Sequence, residues 1–296
     1  MNAVWSFWSK PYREGKSLDW GDGLSRFCSW KLSLEMAGRL FGKTMLFTDD
    51  YGKNLLVSKL GLKYDSVSTA LNALESLDSK WWASGKLYTY LLQDEPFLHI
   101  DSDVYLHKQL DRRLLDAPLI AQNYEHFRIG DSWYHPEKFR ILKSINGFLP
   151  EEIIWYIDRI DDQKALCCGV FGGNDLRFIR YYASVAFDMF LHPDNHAFWI
   201  FLGGDNILLE QYVLSACIEY SKSHPESVFY HSVDIECLFD SASSAFNPES
   251  SSAVGYTHLI GGAKKNPDVC ARLKNRVLRE YPDYYERCRV ITGDAV

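Results

Sequence analysis

No apolar stretch in this 296-residue chain approaches the roughly 18–20 residues needed to cross a bilayer; runs such as Ala197–Leu202 are far shorter. The opening Met-Asn-Ala-Val-Trp-Ser-Phe-Trp-Ser-Lys lacks a basic segment followed by an apolar one, so no secretory leader is read there. Seven cysteines occur without one Cys-x-x-Cys pair, which removes the zinc ribbon and the thioredoxin-type redox centre. An odd count, with Cys167 and Cys168 adjacent, closes no disulfide framework; the expectation is free thiols in a cytoplasmic protein. Proline (10) and glycine (19) are too sparse for a collagen or a low-complexity chain. Positive charge is short as well. Against 39 Asp and Glu stand 32 Lys and Arg, a net −7 that gives no global attraction to a phosphate backbone and argues against nucleic acid as a partner.

What the chain has in excess is aromatic side chains, 15% of its residues. Rings fill cores, and they also stack on the flat faces of sugars and bases, so composition alone leaves both uses open.

Short strand-like runs alternate with helical spacing. The strand-like runs are Ala3–Phe7, Thr44–Thr48, Phe97–Ile100 (resumed by Val104–Leu106), Pro118–Gln122 and Ala165–Phe171. Helical spacing covers Ser25–Phe41 with Gly42 as its stop, Asn54–Leu60 stopped by Gly61, and Trp81–Leu92. It returns over Asp175–Phe190, Asn206–Tyr220 and roughly 267–281. Residues Ser241–Ser252, with six serines and little to pack, read as a loop. The alternation predicts an α/β fold: one domain, with a mainly parallel mixed sheet flanked by helices.

Two motifs carry chemistry. In His99-Ile-Asp101-Ser102-Asp103-Val, an apolar strand delivers two carboxylates at its carboxyl end, where open α/β sheets bind ligands. Hard oxygen donors two residues apart suit Mn²⁺ or Mg²⁺ and, through it, a diphosphate; a solvated turn is the plainer alternative. In His258-Leu-Ile-Gly261-Gly-Ala-Lys264, an imidazole can complete a carboxylate site, Gly261 lets backbone approach a phosphate, and Lys264 supplies a point charge. An ordinary histidine beside a glycine turn would read the same way.

Taken together, Asp101-Ser-Asp103 and the later His-x-x-Gly-x-x-Lys resemble retaining glycosyltransferases of the glycogenin and lipooligosaccharide-galactosyltransferase kind, which have the GT-A fold. Leu46-Phe-Thr-Asp49 resembles the second strand of that family's nucleotide half, and Lys86 falls where the family carries a basic donor-contacting residue. Cys168-Gly-Val-Phe-Gly172-Gly173-Asn174 resembles the segment under the donor sugar, and Glu210-Gln211 the acidic-Gln pair of the following helix. The resemblance implies a nucleotide-binding half over about 1–123, an acceptor half over about 124–266 and a helical tail over about 267–296. Asp101, Asp103 and His258 would hold Mn²⁺ (or Mg²⁺) against a UDP-sugar, with Ser102, Lys86, Lys264 and Gly261 at the donor. Trp5, Ser6 and Asp49 would contact uracil or ribose. Gln211 or Glu210 would lie beneath the anomeric carbon, and Gly172, Gly173 and Asn174 beside the sugar. The sequence departs from the family where Cys167-Cys168 replaces its Asn and Glu210 its Asp.

The expected function is therefore transfer of a sugar from a nucleotide-sugar to a sugar, lipid-linked, protein or peptide acceptor. A sugar nucleotidyltransferase and a catalytically silent carbohydrate-binding protein are the rivals. The aromatic, polar stretch Tyr124–His135 suits a sugar-acceptor wall or a surface loop. The basic residues between Lys264 and Arg289 offer an anionic membrane a weak peripheral contact, or simply a solvated face with intrahelical pairs.

Overall fold

A computed structural model describes residues 1–16, 20–128, 130, 133–159, 163–202 and 205–293. Seven strands form one sheet: β1 (Asn2–Phe7), β2 (Thr44–Thr48), β3 (Ser66–Ser68), β4 (Phe97–Ile100), β6 (Leu119–Phe127), β7 (Gln163–Gly173) and β8 (Ile235–Cys237). Two more, β5 (Val104–Leu106) and β9 (Tyr256–His258), pair only with each other. The sheet order is β3-β2-β1-β4-β7-β6-β8, and every strand but β7 runs the same way. The result is a single α/β domain with a mainly parallel, mixed sheet.

Residue alternation assigns each side chain to a face. On β1, Val4 joins a core with Phe47, Phe97 and Phe171 that the helices Ser84–Leu91, Leu176–Leu191 and Val213–Ser223 cover. Its neighbours Ala3 and Trp5 join the opposite core with Leu46, Leu98 and Ile100, covered by the helix Gly23–Ala37. The C-terminal helices Pro267–Glu280 and Pro282–Thr292 belong to this second layer, burying Leu273, Val277, Tyr284 and Cys288. Both faces being covered, the central strands have almost no polar positions to spare, and β4 is buried throughout. Among the described residues no helix is long and apolar enough to cross a membrane.

Three expectations need correction. Val104–Leu106 does not resume β4; the chain turns at Asp101–Asp103 and β5 leaves the main sheet. The serine-rich stretch is not a loop but two short helices, Ala242–Phe246 and Pro248–Val254. Ser241 caps the first; Asn247 caps the second and stands before Pro248 at its first position, which is the signal that serine content obscured. The first long helix ends at Ala37, with Gly38 rather than Gly42 at its cap.

The glycines of β7 are packing residues. A Cβ on Gly172 would overlap the Phe97 carbonyl, and one on Gly173 the Pro118 carbonyl. Gly172→Ala should therefore cost about 1–3 kcal/mol or more in urea denaturation, whereas Gly42→Ala, at an exposed glycine with open space around it, should change stability by no more than about 0.5 kcal/mol.

Candidate functional site

The parallel strands change crossover direction around β1, so β1 and β4 flank the point where open α/β sheets hold ligands at their carboxyl ends. The chain turns sharply just there. The Asp101 amide donates to the Gly169 carbonyl (3.0 Å) and the Val104 amide back to the Asp101 carbonyl (3.0 Å). Two serines one turn apart on the Gly23–Ala37 helix hold the turn from beneath: Ser33 donates to the Asp101 carbonyl (3.1 Å) and Ser29 to that of Ser102 (2.7 Å).

The ribbon does the rest. Val104 pairs with His258 across β5 and β9, which closes a gap of more than 150 residues, and the Leu259 amide donates to the Asp103 carbonyl (3.0 Å). Asp101, Asp103 and His258 each turn a ligand atom inward, and these atoms lie within 4.8 Å of one another. The imidazole is fixed from behind, its Nδ1 2.7 Å from Gln122 Oε1, an oxygen that also accepts from Tyr256 OH (2.5 Å). The ring's other nitrogen, Nε2, lies 3.5 Å from Asp103 Oδ1. Gly169 makes the room, since a Cβ there would overlap the His258 ring.

Two lysines flank the cluster. Lys264, on the short turn Gly261–Lys265, places Nζ 2.5 Å from Asp103 Oδ2. Lys86, buried on the Ser84–Leu91 helix, bridges Asp101 (2.9 Å) and Glu210 (2.6 Å) and donates to the Cys168 carbonyl (3.0 Å). Burial alone would lower the Lys86 ammonium, but Asp101 and Glu210 outweigh it and hold its pKa well above the ordinary value. Burial raises the Asp103 carboxyl, yet Lys264 and His258 prevail and keep it below the usual range. Asp101 goes the other way: burial and the Asp103 charge exceed what Lys86 returns, so it is pushed up. Glu210 is likewise raised, by burial first and by Asp101. Three carboxylates, two ammonium groups and one imidazole thus share the site.

The other expected residues separate. Glu210 is 1% exposed, tied to Lys86 and within 3.4 Å of Tyr90 OH, so it holds Lys86 in place from the core. Its neighbour Gln211 is half-exposed, with Oε1 2.5 Å from Tyr134 OH, which in turn lies 2.8 Å from Glu125. Gly261 opens the turn that carries Lys264, at φ +55°. Ser102 contributes its carbonyl to Ser29, and Ser6 sits 2.9 Å from His99 Nε2.

Trp5 is corrected: it is wholly buried, with Nε1 donating to Ser33 (3.0 Å), and offers no face to a base. Asp49 is corrected too, because both its oxygens accept backbone amides, from Ser9 and Gly52 (2.7 Å each). Gly172, Gly173 and Asn174 lie at the wrong end. Since β7 is antiparallel to β4, Gly173 pairs with Phe97, four residues or about 13 Å along the strand from Asp101; Asn174 binds the carbonyls of Leu115 and Ala117 instead. The residues of that segment nearest the cluster are Cys168 and Gly169. Of the Tyr124–His135 stretch, residues 129, 131 and 132 lie outside the described residues; Tyr134 is buried against Phe127, while Trp133 is exposed and donates to Glu125 (3.3 Å).

Together these features define an α/β protein with a candidate divalent-cation site at the carboxyl edge of its parallel strands. The chain belongs to the family of unknown function DUF6734, whose profile matches residues 1–291. No curated protein matches it.

Ser33→Ala would leave Trp5 Nε1 and the Asp101 carbonyl without that partner and should cost about 1–3 kcal/mol in denaturant titration. His99 is buried, and burial first, then Lys86, depress its pKa well below the ordinary value. Below about pH 6.5 the unfolded chain therefore binds a proton that the folded one refuses, and stability should fall by up to about 1.4 kcal/mol per pH unit from this group. Denaturation from pH 7.5 to 5.5 should show that loss, and His99→Asn should flatten it.

Proposed function

We propose that this protein is a divalent-cation-dependent glycosyltransferase of GT-A architecture that draws on a nucleotide-sugar, most simply a UDP-sugar, and transfers the sugar with retention to an acceptor. The observation that carries the reading is the convergence of Asp101, Asp103 and His258 within 4.8 Å, with Lys264 alongside, at the carboxyl edge of the sheet. The donor set fits Mn²⁺, with Mg²⁺ as the harder alternative: two carboxylates and one imidazole nitrogen whose ligand atoms lie within reach of a single ion. When bound, such a cation would offset the charge of a diphosphate leaving group.

The chain's own residues supply the rest. Gln122 holds the His258 ring in register and Lys86 holds Asp101. Lys264, already beside Asp103, meets the departing phosphate as its charge develops. Gln211, hydrogen-bonded to Tyr134, is the residue we assign to face the sugar, with Glu210 acting through Lys86. In a front-face reaction the acceptor's proton passes to the departing phosphate oxygen, so no separate base is required. The nucleotidyltransferase rival would need a free basic loop after β1. Lys10 instead donates to the carbonyls of Glu75 and Leu77, and Arg13 pairs with the Glu75 carboxylate at 2.8 Å.

Thermal melts with Mn²⁺ and a panel of nucleotides should show stabilisation by UDP that requires the metal, and incubation with UDP-sugars should release UDP. Asp103→Ala should lower that release by about 100-fold or more, and Gln122→Ala should weaken Mn²⁺ binding by about 10–100-fold. Absence of a metal-dependent UDP shift would sink the proposal. Metal-dependent UDP binding without any UDP release from a sugar panel would favour the silent binding protein.

A further inference from the structure

The β5–β9 ribbon has a second face. Because side chains alternate, Tyr256 and His258 point towards Gln122 and the cluster, while Thr257 and Leu259 point away. On that reverse side lies a groove of about 290 Å³ between the ribbon and the helix Pro267–Glu280. Its apolar lining comes from Leu32, Tyr105, Leu259 and Leu273. Its polar lining is cationic or neutral. Arg272 and Arg276 stand one helical turn apart, beside His107, which lies 3.0 Å from Thr257 Oγ1, and among the described residues no carboxylate lines the groove.

The two arginines differ from most cations of this region, which are spoken for. Lys264 pairs with Asp103, Lys274 with Asp22, Arg279 with Glu280, and Arg289 with Glu286; Arg287 donates to the Leu60 carbonyl. Arg276 spends its Nε on Glu280 (3.2 Å) and keeps its terminal nitrogens, and Arg272 has no ion pair among the described residues. Two guanidinium groups lining one groove suit a phosphate, whose three terminal oxygens and up to two negative charges match them better than a carboxylate's two oxygens and single charge. The small volume accommodates one apolar chain rather than two.

We infer that this groove binds a single-chain amphiphile with a phosphate head, its tail on Leu32, Leu259 and Leu273 and its head between Arg272 and Arg276. The site is separate from the cation cluster and does not depend on the transferase reading. It also gives the basic C-terminal helix a use that its paired surface charges do not.

Isothermal titration of the full chain with decyl phosphate, kept below its micellar concentration, tests this. Saturable one-to-one binding is expected, with inorganic phosphate, decanol and decanoate each at least about tenfold weaker. Arg272→Ala removes an exposed side chain, and Val269→Trp fills the groove from a half-buried position. Each should weaken decyl phosphate at least about tenfold while leaving the melting temperature and the Mn²⁺ response unchanged. Equal affinity for inorganic phosphate or decanoate would overturn the assignment, as would binding that neither variant affects. Binding only to phosphatidylglycerol vesicles would overturn it as well, assigning the arginines to a membrane surface.

Discussion

Ionised carboxylates withdrawn from water cost several kcal/mol each unless cations are brought to them, and this protein withdraws three around one turn. The cations come from distant segments. Lys86 reaches in from the helix before β4, Lys264 from the turn after β9, and the carboxylate of Glu210 arrives on the π-helical turn Leu208–Tyr212. Each of these must be delivered to within hydrogen-bonding range, so the local geometry ties four separate stretches of chain together. The pull is uneven. Asp103, with Lys264 and His258 beside it, keeps its charge readily; Asp101, which shares Lys86 with Glu210, is held less favourably.

Much of this was readable before any coordinates. Asp101 and Asp103 announced themselves because a polar pair ending an apolar strand breaks a local pattern, and His258 and Lys264 because of their spacing around glycine. The residues that hold them were not readable. Gln122 lies inside an apolar strand, Ser29 and Ser33 on a helix face dense with small and aromatic residues, and Gly169 in the middle of β7. Their roles depend on which strands become neighbours, and hydrophobic periodicity reports burial without reporting neighbours. The misplacement of Gly172, Gly173 and Asn174 has one physical cause: direction. A buried strand looks the same read in either sense, and only the antiparallel pairing of β7 with β4 shows that its glycines end at the far edge.

The aromatic surplus resolves mostly into architecture. Trp5, Trp8, Trp81 and Tyr90 are core residues, and Tyr90 packs at 5.1–6.4 Å against Phe97, His99, Phe171 and Tyr182, directly behind the Lys86–Glu210 pair. Rings with few rotamers make a stiff backing for buried charge. Trp133, exposed in the Tyr124–His135 stretch, sits beside the Glu125–Tyr134–Gln211 chain of polar groups.

The β5–β9 ribbon has three residues on each strand and neither strand pairs with the main sheet, so little holds it except its own register and the side chains on its two faces. A slip of one residue would exchange those faces outright: Thr257 would come up against Asp103, and His258 would drop among the arginines. Intermediate alignments do not exist in a pleated strand. The register and both faces of the ribbon are therefore fixed together, and a side chain that anchors either face also holds the other.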